Sequence, residues 1–144
     1  MSEGSPPFDP EERVLRRIFV GAGFYDPEKA PPVESGAFRP NSHDGDGLSF
    51  YLEREVSAER LAGAAGKPAD HYVVARLRAG DLYDLGLTLK PTPGTGDLPG
   101  HVVVPEINTG AYKDKAQKAR LSELCLRLAE VASRDIAFAA TRRG

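Results

Sequence analysis

The sequence predicts an α+β domain with a small mixed or antiparallel sheet, a long C-terminal helix and a short N-terminal helix. Three segments have the pattern of strands, at residues 48–53, 71–78 and 101–107, and a long amphipathic stretch at 111–133 follows them. The chain has 144 residues, 40% of them hydrophobic and 28% charged, which is the composition of one ordinary globular domain. We expect a flexible tail at residues 1–8 and a single domain over 9–140.

The first expected element is the short N-terminal helix, over residues 10–20. Asp9 is a suitable N-cap, Pro10 fits the first helical position, and Glu12 lies three residues after the cap. The apolar residues recur at helical spacing and predict one buried stripe, formed by Val14, Leu15, Ile18 and Phe19.

The three strands are predicted by alternation and by β-branched residues. In 48–53, apolar residues alternate with Ser49, Tyr51 and Glu53, so we expect those three on the outer, polar side. The three consecutive valines of 101–107 indicate burial on both faces, and Pro105 places this strand at an edge or ends it. Between these strands we expect a short Ala-rich helix capped by Ser57, a helical turn capped by Asp81, and a short strand at 87–89.

The longest helix is predicted over residues 111–133, with Asn108 or Thr109 as its cap. Its apolar stripe consists of Leu121, Leu124, Leu128 and Val131, widened by Cys125 and Ala132. The single cysteine therefore has the setting of a small buried hydrophobe. Residues 136–139 either continue this helix or form a last strand.

Charge and hydropathy limit the classes of partner. The net charge of -2 argues against a nucleic-acid-binding protein, and no apolar run approaches the roughly 20 residues of a membrane span. The first residues lack the basic and apolar regions of a signal peptide, so we expect a cytoplasmic protein with no membrane association. The sequence leaves the oligomeric state open.

The densest polar cluster lies at residues 41–47. Asp44, Asp46 and Gly47 match the third, fifth and sixth positions of a calcium loop, and Glu53 matches the last. Ser42 stands where the first ligand is expected, and a strand follows where the motif requires a helix. We therefore predict an Asp/Gly turn, no metal site and no cofactor.

A binding surface is predicted where this loop, the outer side of the first strand and the loop at 91–101 converge. Its polar and aromatic residues are Arg39, His43, Asp44, Asp46 and Tyr51. His71 and His101 each open a strand, and their rings could approach each other if those strands are neighbours.

Three short segments carry a resemblance to a known family: Ile-Phe-Val-Gly at 18–21, Val-Glu-Ser-Gly-Ala-Phe-Arg-Pro at 33–40, and Gly-Leu-Ser-Phe-Tyr at 47–51. Together they resemble the opening of ADP-ribosyltransferase-like domains, in which a small Ala-rich helix and a later acidic residue follow. The resemblance implies an NAD-binding cleft with Ser49 and Tyr51 beside the nicotinamide and Glu106 orienting the acceptor. It also implies a strand around Arg16 and Arg17, where the periodicity predicts a helix.

Two functions follow from these observations. The near-neutral charge and the absence of a complete catalytic set favour a small accessory domain that binds another macromolecule, which we expect to be a protein. The alternative is a compact ADP-ribosyltransferase-like enzyme that uses NAD, with Ser49, Tyr51, His101 and Glu106 as candidate catalytic residues. The alternative requires Ser49, Tyr51 and Glu106 to line one cleft.

Overall fold

A six-stranded sheet with the order β4-β5-β2-β1-β3-β6 organises the chain, and every neighbouring pair of strands is antiparallel. The computed structural model describes residues 8–20, 23–39, 47–64, 71–92, 98–108, 110 and 113–139. The strands are β1 (Arg13–Phe19), β2 (Leu48–Leu52), β3 (Tyr72–Arg78), β4 (Lys90–Pro91), β5 (His101–Val104) and β6 (Ile136–Ala139). The predicted α+β class is confirmed, and the sheet is of the antiparallel kind.

Helices cover both faces of the sheet. The described residues include α1 (Ala58–Gly63), α2 (Ala79–Asp84) and α3 (Lys115–Ser133), and a short 3₁₀ helix at Ser35–Phe38. The larger core lies between α3 and the sheet, on what we call the α3 face, and includes Val14, Phe50 and Leu77. A smaller core lies between α1 and the opposite side, the α1 face, and includes Leu15, Tyr51 and Leu61.

The predicted N-terminal helix is wrong, because residues 13–19 form the central strand β1. Val14 belongs to the core of the α3 face and Leu15 to the core of the α1 face, since successive strand residues point to opposite sides. Burial on both faces produces an apolar pattern that also fits a helical stripe. The capping signal at Asp9 belongs to a turn, in which its side chain accepts from the Glu11 N–H and its carbonyl from the Glu12 N–H.

The long C-terminal helix is confirmed, with a later start. Asp114, rather than Asn108 or Thr109, is its N-cap, and the Asp114 carboxylate accepts from the backbone N–H of Gln117 at 2.8 Å. The predicted stripe is buried at Leu121, Leu124, Cys125, Leu128 and Ala132, and Val131 packs against the same core. None of the helices in the described part of the chain has the length and apolarity needed to cross a membrane.

The shorter elements divide between confirmed and wrong predictions. Ser57 caps α1 through a hydrogen bond from the Arg60 N–H, and β5 ends immediately before Pro105. Residues 136–139 form the edge strand β6.

Residues 87–89 are not a strand, although Leu87 and Leu89 are buried, because the Glu106 carboxylate holds the Thr88 N–H. Asp81 lies inside α2, where it accepts from the Arg78 N–H.

Candidate active site

Strands β2 and β5 bring three of the predicted catalytic residues together. In the antiparallel ladder Tyr51 pairs with His101 and Ser49 pairs with Val103. Ser49 and Tyr51 are two residues apart on one strand, so both project from the α1 face, and His101 lies on the same face beside them. A serine, a tyrosine and a histidine that are far apart in the sequence therefore lie next to one another.

Hydrogen bonds connect His101 to a hydroxyl on each side. The Nε2 atom of His101 is 3.0 Å from Ser49 Oγ, and its Nδ1 atom is 2.6 Å from Thr92 Oγ1. The Thr92 hydroxyl also donates to the carbonyl of His101 at 3.0 Å, and the Thr92 N–H bonds to the same carbonyl. All three side chains are partly buried; Ser49 lies in β2, His101 opens β5, and Thr92 directly follows β4. We call this series of hydrogen bonds the Ser49–His101–Thr92 relay.

Tyr51 lies beside the relay but is buried, with 6% of its surface exposed. Its ring meets the His101 ring edge-on, with 5.2 Å between the ring centroids. The prediction that Tyr51 faces outward is therefore wrong, because the outer side of β2 is covered by the smaller core around α1. The ring forms one wall of the site and at the same time contributes to the packing.

Two arginines of β1 border the site from opposite faces of the sheet. The guanidinium of Arg17 lies 6.0 Å from the Tyr51 ring centroid and 5.8 Å from that of Tyr72, and it donates to the Leu61 carbonyl. Arg16 is on the α3 face, where it donates through Nη1 to the Ser49 carbonyl at 2.9 Å and through Nε and Nη2 to the Ala37 carbonyl. Each guanidinium thus links β1 to a neighbouring segment of backbone.

The ladder between β1 and β2 is short at this point. It contains two residue pairs, Val14 with Leu52 and Leu15 with Tyr51, whereas the ladder between β1 and β3 contains seven. At Ser49, two residues before Tyr51, the Arg16 side chain links β1 to β2 by donating to the Ser49 carbonyl. Beside the Ser49–His101–Thr92 relay, β1 and β2 are therefore bridged by the Arg16 side chain, whereas at Leu15 and Tyr51 they pair through their backbones.

Glu106 does not join this group. Its carboxylate accepts from the Thr88 backbone N–H at 3.0 Å and from the Thr88 hydroxyl, in the segment that leads into β4. This segment lies on the outer side of β5, away from β2. Ser49 and Tyr51 thus lie beside His101, whereas the Glu106 carboxylate is bound by Thr88.

The other predicted residues are dispersed. Arg39 is exposed at the end of the 3₁₀ helix, and His43, Asp44 and Asp46 lie outside the described residues. His71 and His101 cannot approach each other, because β2 and β1 separate their strands. His71 instead packs near Phe19, with ring centroids 6.4 Å apart, at the far end of β1.

Thr92, Arg16 and Arg17 were missed as site residues. Thr92 reaches His101 only through the pairing of β4 with β5, which no local pattern reveals. The two arginines were assigned to a helix, and their positions follow only once β1 is recognised as a strand. The signal that the sequence offered was the pair of basic residues, Arg16 and Arg17, between the buried Leu15 and Ile18.

Comparisons with known protein families, curated proteins and solved structures found no match for this chain. Within the described ranges, no three His, Cys, Asp or Glu side chains lie close enough together to hold a metal ion.

Proposed function

We propose that the chain is a compact group-transfer enzyme of the ADP-ribosyltransferase-like type, which uses NAD as its donor. The observation that carries this proposal is the convergence of Ser49, Tyr51 and His101 where the ladder between β1 and β2 stops. A serine hydroxyl, an imidazole and an aromatic ring meet there, with the Arg17 guanidinium on the same face of the sheet. This combination of groups is better explained by the binding of a polar aromatic substrate than by a purely structural role.

The position of β1 supports the same proposal. The family resemblance implies a strand around Arg16 and Arg17, and both arginines lie on β1, next to β2. The resemblance also implies a small Ala-rich helix after the second strand, the position that α1 occupies.

The residues of the site fit the reaction. Transfer breaks the bond between the ribose carbon C1′ and nicotinamide, forms a bond between C1′ and a nucleophile, and releases the proton of that nucleophile. An imidazole is suited to accepting such a proton near neutral pH. The 3.0 Å contact between His101 Nε2 and Ser49 Oγ supports giving this role to His101. Since Glu106 is held by Thr88, the proposal gives the proton-accepting role to His101.

Nicotinamide release from NAD tests the proposal. The wild-type chain should release nicotinamide, and His101→Gln should lower the rate by about a hundredfold or more, the usual contribution of a general base. Glu106→Gln is the matched control and should retain most of the rate, because its carboxylate is bound by the Thr88 N–H and hydroxyl. No release and no NAD binding by the wild type, or equal rates in wild type and His101→Gln, would contradict the proposal.

A second candidate, an accessory domain that binds a protein, is favoured by a separate feature. Leu126 of α3 is 54% exposed, and it borders a groove of about 540 Å³ between α3 and the segment 29–35. Glu34 and Glu123 in this groove pair with Lys29 and Arg127. Together with Glu130, the lining carries three carboxylates against two cations, and this acidic excess suits a peptide with an apolar residue next to a basic one.

Selection from a random peptide library on the immobilised chain tests this candidate. The selected peptides should combine an apolar residue with a Lys or Arg, and Leu126→Glu should abolish their binding without changing the fold. The candidate fails if no peptides are enriched, or if the enriched peptides bind Leu126→Glu as well as they bind the wild type.

A further inference from the structure

We propose that Ser49 is an activated nucleophile, that His101 is its general base, and that Thr92 is a positioning residue that fixes the tautomer of His101. The inference deepens the proposed function, on which it rests for the identity of the electrophile. The activation of Ser49 itself is a property of the relay and can be tested without NAD.

The Thr92 hydroxyl lies within hydrogen-bond distance of two groups, the His101 carbonyl at 3.0 Å and His101 Nδ1 at 2.6 Å. We assign the single hydroxyl proton to the carbonyl, so that the ring nitrogen Nδ1 donates to Thr92 Oγ1. In a neutral imidazole the other nitrogen, Nε2, is unprotonated and accepts from the Ser49 hydroxyl at 3.0 Å. The relay thus directs an imidazole lone pair at the serine proton.

This arrangement has the two contacts that define an activated hydroxyl. The nucleophile and base lie within hydrogen-bond distance, and a third group orients the base through its other nitrogen. Thr92 supplies that orientation without a negative charge, so it selects a tautomer but gives less stabilisation to a charged imidazolium than a carboxylate would.

The backbone holds both partners in place. Ser49 lies within β2, where its neighbours pair with β5, and Arg16 Nη1 donates to the Ser49 carbonyl at 2.9 Å. Thr92 is tied to the His101 carbonyl by its own N–H at 3.2 Å. Groups held by strands and side-chain bridges keep their geometry better than groups on a free loop.

With NAD as electrophile the step is a substitution at C1′ of the nicotinamide ribose. The bond between Ser49 Oγ and C1′ forms, the bond between C1′ and the nicotinamide nitrogen breaks, and nicotinamide leaves as a neutral molecule. The Ser49 proton passes to His101 Nε2. The predicted product is an ADP-ribosyl group on Ser49 Oγ.

Labelling with a fluorophosphonate tests the activation independently of NAD. Attack by Ser49 forms an oxygen–phosphorus bond, expels fluoride and transfers the serine proton to His101. We expect one label on Ser49, none on Ser49→Ala, and a labelling rate reduced by about a hundredfold in His101→Gln. Ser57→Ala is the matched control, because Ser57 caps α1 and should not react. Absence of a label on the wild-type Ser49 overturns the inference.

The role of Thr92 has its own readout. Thr92→Val should slow the labelling, change its pH profile, and alter the ¹⁵N chemical shifts of the His101 ring as the Nδ1–H tautomer is lost. Thr92→Ser should restore all three properties, because it restores the hydroxyl. Unchanged ring shifts and an unchanged pH profile in Thr92→Val would contradict the positioning role.

Peptide mapping after incubation with NAD separates the inference from the proposed function. An ADP-ribosyl group on Ser49 supports both. A label on Ser49 from the fluorophosphonate, with neither an adduct nor nicotinamide release from NAD, supports the nucleophile and contradicts NAD as its electrophile. Nicotinamide release without either modification of Ser49 retains the proposed function and overturns the inference.

Discussion

Tyr51 serves both the core and the site, and its burial decides the result of truncating it. The ring packs with Leu15 and Leu61 and has 6% of its surface exposed. Tyr51→Ala should therefore lower the free energy of unfolding by roughly 3–5 kcal/mol, as for other buried rings. Tyr51→Phe keeps the ring and should cost less than about 1 kcal/mol. Urea denaturation measures both, and a Tyr51→Ala variant as stable as the wild type would contradict the packing described.

Cys125 illustrates a group whose chemistry is suppressed by burial. The side chain is 0% exposed, and burial raises the pKa of its thiol, although Arg39 and Arg16 oppose the effect. In the folded protein we expect slow alkylation by iodoacetamide at about pH 8, and rapid alkylation in denaturant. Fast alkylation of the native protein would show that the thiol is accessible.

The raised pKa of Cys125 also predicts a dependence of stability on pH. The thiol is more easily ionised in the unfolded chain, so its contribution is complete below the unfolded pKa of about 8.5 and is lost as pH rises through the higher folded pKa. The unfolding free energy of the wild type should therefore fall more steeply above about pH 8.5 than that of Cys125→Ala. Parallel pH profiles for the two proteins would contradict this assignment.

Among the elements, α3 is the one that the sequence predicted best, because a long amphipathic stripe has few alternative interpretations. Leu128 is 0% exposed in the larger core, and Leu128→Ala should cost roughly 2–5 kcal/mol. Leu126→Ala, two residues earlier and exposed, is the matched control and should change stability by less than about 0.5 kcal/mol. Equal losses in the two variants would mean that the stripe has been assigned to the wrong side of the helix.

Strand β1 was mispredicted for a physical reason. Its neighbours β2 and β3 are supplied by distant segments, and cores on both faces bury adjacent residues such as Val14 and Leu15. Short sequence windows contain no information about those neighbours, so two-sided burial and a helical stripe look alike. The same limit applies to the segment at 87–89, where the carboxylate of Glu106 replaces a strand partner.

At the scale of the whole molecule, the α+β class followed from local alternation, which left a mixed and an antiparallel sheet as alternatives, and the site depended on strand order. Ser49 and Tyr51 were recognised from one strand, but their neighbour His101 comes from β5 and the hydroxyl of Thr92 from the residue after β4. Glu106 was predicted from the order of the motifs along the sequence. That order does not reveal that its side chain bonds to Thr88, on the side of β5 away from β2. Long-range pairing therefore determined which predicted residues meet.

The central claim is that the substrate binds beside the Ser49–His101–Thr92 relay, where the ladder between β1 and β2 stops. The most direct test is a titration of the ¹⁵N-labelled chain with NAD, followed through the backbone amide signals. We predict that the largest shifts occur at Ser49, Tyr51, His101 and Arg17, while Leu126 and Glu130 of α3 remain unchanged. Shifts confined to α3, or no shifts at millimolar NAD, would contradict the claim.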